Sequence, residues 1–209
     1  MILIQKRGEP ATWKAYRLTP GVIYAPSHDL RNALLAEQGY ICAFCMRSIP
    51  VTRLDPGEAE QSKIAHLKSR ANHRDHQLDY DNMVVCCPGN INGSAHCDKS
   101  QGPRNVTLPL FNNQLQQSIK YSTHDGEIKS SNVNWDTEIN DVLHLNNVLL
   151  KYNRIQTLIG IRNVLETLKW RRAKIREKLS QWTSHDAHGR LKPYCGIVIW
   201  YLQKKLNQP

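Results

Sequence analysis

Nowhere do about 18 apolar residues run together, the length a membrane-crossing helix needs, so no membrane partner is expected. The opening MILIQKRGEP lacks the charged stretch, apolar run and small-residue cleavage site of a secretory leader, which points to the cytoplasm. Internal repeats and low-complexity tracts are absent too, so neither a solenoid nor a biased tail is expected. Acidic residues are scarce: 18 Asp and Glu stand against 28 Lys and Arg, a net charge of +10 that favours polyanionic partners such as nucleic acid. What is present is a chain of 209 residues, enough for one good core or for a small functional unit with a helical remainder. Its six cysteines, in a reducing compartment, suit metal ligation or buried thiols better than disulfides.

Along the chain, MILI reads as a short edge strand, followed by a region punctuated by Pro10, Pro20 and Pro26. Ser27 is placed to cap a short helix carrying Leu30, Leu34 and Leu35 on one face, with Gly39 as its stop. That helix delivers the chain into YICAFC. Further on, IKYSTHDGEIK sets Asp125-Gly126 between two alternating runs, a hairpin signal. From Asn147 to about Trp182, the spacing of Val148, Tyr152, Ile155, Ile159, Leu165 and Leu168 predicts a helix with Gly160 as a bend. The final KPYCGIVIWYLQKKL suits a buried helix starting near Pro193, although its β-branched run fits a strand equally well.

Five of the six cysteines, Cys42, Cys45, Cys86, Cys87 and Cys97, fall between residues 40 and 104. Cys42 and Cys45 form a CxxC, a tight turn that points two thiolates at one ion. A structural zinc needs two more ligands. Cys97 supplies one, and either Cys86 or Cys87 the other, since neighbours in an extended segment face opposite ways. The PGNINGSAH insert between them is longer than a usual knuckle, but its Gly- and Asn-rich composition lets it close. No βαβ pattern surrounds the CxxC, so a redox role is disfavoured. Cys195 reads as a core residue.

Between the two halves of this frame lie IAHLKSR, with His66, and LDYDNMVVCC, with Asn82; HCD then sets Asp98 directly after Cys97. A cysteine-pinned frame with a His, then an Asn, then a polar residue beside the last cysteine resembles the HNH nucleases. The resemblance implies an α+β protein in which a ββα-metal finger with zinc-binding cysteines is flanked by mostly helical segments. It makes His66 the general base and Asn82 the residue bracing the loop. It places the structural zinc on Cys42, Cys45, Cys87 and Cys97, and gives Asp98 to a catalytic Mg²⁺ or Mn²⁺. Gly102 matches the glycine closing the motif, while the common lysine before it is Gln101 here. The implied division is 1–40 for the N-terminal segment and lead-in helix, 41–105 for the nuclease core, and 106–209 for the hairpin and C-terminal helical region.

More of the chain is similar to the PtuB group of HNH proteins from Septu and retron-associated antiviral defence systems. The likeness runs through MILIQKRGEPATWKAY, QGYICAFC and LDYDNMVVCCPG, and is loose over the C-terminal helices. It implies an effector endonuclease, a hydrolase of phosphodiester bonds in DNA or RNA, including tRNA. Its implied partners are an ABC-type ATPase of the PtuA kind and a retron reverse transcriptase with its msDNA.

The roles agree with the chemistry. A phosphodiester is anionic and repels nucleophiles, so its hydrolysis needs a deprotonated water and a cation on the phosphate. A histidine with an ordinary pKa of about 6.5 accepts that proton. Lys68 and Arg70 follow the base, and Lys99 and Arg104 flank the last ligand, where cations fix phosphates without reading sequence. Ala65 stands where many family members carry an acid or a histidine that holds the catalytic ion. Three explanations stay open: an ion resting on Asp98, water and substrate; a substitute among His73, Asp75, His76, Asp79 and Asp81; or an inactive site. The alternative function is a zinc-stabilised subunit that binds nucleic acid or docks an ATPase and cuts nothing. A second basic cluster, KWRRAKIREK from Lys169 to Lys178, reads equally well as a solvated helix face.

Overall fold

The computed structural model describes residues 1–50, 62–91 and 93–208. Helix and strand are mixed. In the first half α1 (Ala11–Arg17) and α2 (His28–Glu37) precede β1 (Lys63–His66), β2 (Met83–Cys86), β3 (Asn90–Ile91), β4 (Ser94–Ala95) and α3 (Asp98–Gln101). The second half runs α4 (Gln114–Ser118), β5 (Ile119–Tyr121), β6 (Ile128–Ser130), α5 (Val133–Thr137), α6 (Val148–Thr167), α7 (Arg172–Thr183) and α8 (Cys195–Leu206). The strands pair as three small antiparallel sheets, β1–β2, β3–β4 and β5–β6. Among the described residues, no helix is long and apolar enough to cross a membrane.

Local chemistry explains α2. The Ser27 hydroxyl accepts the Leu30 N–H at 3.2 Å, Leu30, Leu34 and Leu35 are buried, and the chain leaves through Gly39 at φ +61° with Tyr40 N–H returning to the Leu35 carbonyl. The Asp125-Gly126 hairpin forms as well, with Tyr121 opposite Ile128 and Ile119 opposite Ser130. Glycine is needed at 126, because a Cβ there would collide with the Lys151 carbonyl of α6.

Three expectations fail for identifiable reasons. MILI is not a strand: Ile4 N–H reaches the Leu110 carbonyl, but no ladder follows, and Met1 and Ile4 are buried in the core. The long C-terminal helix breaks at residues 168–171 and not at Gly160, which sits in open space inside α6. Lys169 and Trp170 both take left-handed conformations there, and Trp170 N–H folds back to the Leu165 carbonyl at 3.0 Å. The buried face of α6 is also rotated from the one its apolar spacing predicts. It runs through Leu150, Arg154, Leu158, Ile161 and Leu165, leaving Val148 83% and Tyr152 55% exposed. Arg154 causes the difference: its guanidinium is buried by hydrogen bonds to the carbonyls of Gly126 (2.6 Å) and Leu145 (2.8 Å) and to Asn146 Oδ1 (3.0 Å). A cation hydrogen-bonded this way stands where pattern reading expects an apolar residue. The terminal segment is helical, with Ile197 and Val198 fully buried.

Buried residues from Met1 to Leu202 form one contiguous cluster, to which all three sequence segments contribute. In the β1–β2 ladder Lys63 pairs with Cys86, Ala65 with Val84 and His66 with Met83. Directly opposed residues share a sheet face, so Ala65 sides with Cys86 and His66 with Met83.

Candidate metal centre and cleft

The four sulfurs of Cys42, Cys45, Cys87 and Cys97 lie within 4.8 Å of one another and all four residues are buried. Cys42 to Cys97 is 3.8 Å, Cys45 to Cys87 3.7 Å and Cys87 to Cys97 3.9 Å. Four thiolates held about 2.3 Å from a tetrahedral ion are about 3.8 Å apart. The set can therefore hold a structural metal such as zinc with little rearrangement. Burial pushes the Cys45 and Cys97 thiols up, so ionising them requires a cation. Cys87, whose sulfur lies among the other three thiols and 3.5 Å from His96 Nε2, is pushed down by these neighbours. Cys86 turns away, its Sγ 3.6 Å from the Lys63 carbonyl, which settles the choice between the two adjacent cysteines on geometry. Cys195 is buried in the core, and burial raises its thiol to about 11.

Local backbone chemistry builds this centre. The CxxC knuckle closes by hydrogen bonds from Cys42 N–H to the Arg47 carbonyl and from Met46 N–H to the Cys42 carbonyl. Gln38 then clamps it to β2. Its Oε1 accepts the Val85 N–H at 2.7 Å, and its Nε2 donates to the Val85 carbonyl (2.7 Å) and the Ile41 carbonyl (2.9 Å). The insert after Cys87 folds as the β3–β4 hairpin. Cys97 is held at φ +54°, unusual for a non-glycine residue, with its N–H on the Leu143 carbonyl at 2.8 Å. His96, buried, sets Nε2 3.5 Å from Cys87 Sγ. Sequence reasoning missed both Gln38 and His96, since nothing in the spacing marks either.

Directly after Cys97, α3 begins with Asp98. A cleft of about 450 Å³ is lined by Asp98, His66, Gln101, Arg31, Lys63 and Arg70. His66 is only 5% exposed, and its Nε2 lies 3.1 Å from the Gln77 carbonyl. A carbonyl only accepts, so Nε2 carries the proton and Nδ1 carries the lone pair, with no hydrogen-bond partner among the described residues. Burial, aided by the Arg70 charge, lowers His66 to about 4, and so it stays neutral at physiological pH. Tyr24 packs edge-on against the imidazole at 4.7 Å and carries the Arg70 guanidinium over its ring at 4.4 Å.

Asn82, buried, ties the loop after β1 at both ends. Its Oδ1 accepts the Lys68 N–H at 2.7 Å, while its Nδ2 donates to the Lys68 carbonyl (3.0 Å) and the His76 carbonyl (3.1 Å). Gln101 donates from Nε2 to the carbonyls of His66 (2.8 Å) and Arg104 (3.0 Å), and its buried Oε1 has no partner among the described residues.

Of the four cations singled out in the sequence, Arg70 alone lines the cleft. Lys68 Nζ donates to His76 Nε2 at 3.0 Å, and Lys99 is exposed on α3. Arg104 is committed to main-chain carbonyls, Gln101 (3.1 Å), Asp141 (2.8 Å) and Val142 (3.3 Å) among them. Arg31 and Lys63, distant in sequence, occupy the cleft instead. None of the substitute ligands reaches it: Asp75, Asp79 and Asp81 line a separate depression with Arg7 and Arg17, and His73 Nε2 accepts from Asn105 Nδ2.

Ala65 is fully buried on the Cys86 face of the hairpin. Ala65→Asp is expected to cost about 3 kcal/mol or more, because an unpaired carboxylate would be desolvated there. Thermal unfolding with and without Mg²⁺ checks this: a variant as stable as wild type contradicts the prediction, and selective rescue by Mg²⁺ would place an ion beside position 65.

Comparison with protein-family models gives no match, and comparison with curated proteins finds no similar chain.

Proposed function

We propose that the protein is an HNH-type endonuclease, with β1, β2 and α3 as its ββα finger and the four cysteines as its structural zinc site. One observation carries this reading: a neutral histidine with a free Nδ1 shares a cleft with a carboxylate and three cations. Arg31, Lys63 and Arg70 attract and orient a phosphodiester, an electrostatic role independent of base sequence. His66 removes a proton from the attacking water at Nδ1, while the Gln77 carbonyl fixes the tautomer. Tyr24 supports both groups, meeting the imidazole edge-on and carrying the Arg70 guanidinium over its ring.

The resemblance also implies a catalytic Mg²⁺ or Mn²⁺, and the donor set fits one held partly by substrate. Asp98 is the single carboxylate lining the cleft among the described residues, and Gln101 lines it as well. Mg²⁺ commonly rests on one or two carboxylates and takes its remaining ligands from water and substrate phosphate. When bound, such an ion neutralises charge on the phosphate and leaving oxygen.

On resemblance alone, the protein acts as the effector of an anti-phage complex beside a PtuA-type ATPase, with a retron reverse transcriptase and its msDNA as further partners. The test is to incubate purified protein, alone and with its ATPase, with plasmid DNA and with tRNA, with and without Mg²⁺ or Mn²⁺. Divalent-dependent cleavage of at least one substrate is expected. Intact substrates under every condition would favour the non-cutting, zinc-stabilised docking subunit.

A further inference from the structure

Positive charge is segregated within the chain. Residues 162–209 hold 11 Lys and Arg against 3 Asp and Glu, +8 of the total +10, and the first 161 residues supply the other +2. All three acids are engaged. Glu166 accepts from the Trp170 indole, Glu177 pairs with Lys174 at 2.7 Å, and Asp186 accepts the N–H groups of His188 and Arg190 at 2.8 Å. Lys169, Arg171 and Arg176 are exposed, with no carboxylate at ion-pair distance among the described residues. Arg172 differs, donating to the Leu206 (2.7 Å) and Gln208 (2.9 Å) carbonyls at the end of α8.

The stability of α7 does not call for this pattern. The first turn of a helix favours acids, yet α7 has none there and carries Arg172 and Lys174, with Arg171 at the N-cap. Nearby, Lys205 lies over the Trp170 and Tyr201 rings at 5.6 and 5.7 Å, so flat aromatic surface is interleaved with cations. No residue of α6, α7 or α8 lines the His66 cleft.

We propose that the corner joining α6 to α7, together with the last turn of α8, is a second polyanion-binding face that takes the sugar–phosphate backbone of nucleic acid. It does not depend on the cleft being catalytic. A nucleic acid fits better than an anionic membrane, because surface-lying helices insert an apolar face. The apolar residues of α7 have no such freedom: Ile175 is buried, and Leu179 and Trp182 pack against the core.

The test is fluorescence anisotropy of labelled duplex and single-stranded oligonucleotides without divalent ions, so that binding is read apart from cleavage. The triple variant Lys169→Glu, Arg171→Glu, Arg176→Glu is compared with Lys14→Glu, Arg74→Glu, Lys120→Glu, which makes the same charge change elsewhere. The first should bind at least about tenfold more weakly and flatten the dependence of log affinity on log salt by about 2 to 3, roughly 0.9 per lost duplex phosphate contact. The control should change far less. Equal losses from the two triples would overturn the proposal. So would a first triple that loses phosphatidylserine vesicles but keeps the oligonucleotides. Because cleavage is not measured, an inert cleft would leave this result standing.

Discussion

Cys97→Ser is expected to strip the metal and lower the melting temperature by about 10 °C or more, whereas Cys86→Ser keeps the metal. The two cysteines are both buried, yet only Cys97 belongs to the sulfur cluster. That cluster joins the Cys42–Cys45 knuckle, the end of β2 and the start of α3, segments far apart in sequence. Structural zinc contributes about 10–16 kcal/mol of apparent binding energy in finger peptides, comparable with the entire stability of about 5–15 kcal/mol of an ordinary domain. Cys97 also sits at φ +54°, a conformation costing about 1–3 kcal/mol that persists only where surrounding bonds impose it. For a chain of this size each lost kcal/mol lowers the midpoint by about 2–4 °C. Metal analysis by mass spectrometry with thermal unfolding reads both effects. A Cys97→Ser protein with full metal and an unchanged midpoint would refute the assignment of this centre.

His66→Ala is expected to reduce cleavage by about 10² to 10⁴-fold, the usual contribution of a positioned general base, with metal content unchanged. His66 lies outside the sulfur cluster, so its loss separates chemistry from scaffold. The same histidine gives stability a defined pH dependence. Burial and Arg70 hold it at about 4 in the folded protein, against about 6.5 when unfolded. Between those values the unfolded chain binds the proton and the folded one does not. The histidine's contribution is therefore fully present above about pH 6.5 and is lost as pH falls toward 4, by up to about 3 kcal/mol. Denaturant titrations of wild type and His66→Ala across that window should converge in their pH slopes only where His66 no longer titrates.

The parts legible in the sequence are those written in short spacing. The CxxC, the Ser27 cap and the Asp125-Gly126 turn each act over a few residues, and each appears where its local chemistry places it. The Cys86 or Cys87 alternative was open because alternation alone leaves it undecided; packing decides it. What could not be read comes from residues remote in sequence. Gln38 clamps Val85, and Tyr24 and Arg31 join the cleft from before the knuckle. Arg104, by contrast, has the charge for a phosphate but is held by carbonyls created by the fold of residues 138–142. On α6 the apolar period misled because Arg154 buries a charge held by hydrogen bonds to main-chain carbonyls, which no hydropathy pattern records.

Whether His66 is a base kept neutral by its surroundings is measured most directly by the pH dependence of cleavage. If the protein cuts nucleic acid as proposed, then with metal held at saturation the acidic limb should fall near pH 4 to 5, and His66→Ala should cleave at least about 10²-fold more slowly across the range. A limb at the ordinary histidine value of about 6.5, or comparable cleavage by His66→Ala, would contradict it.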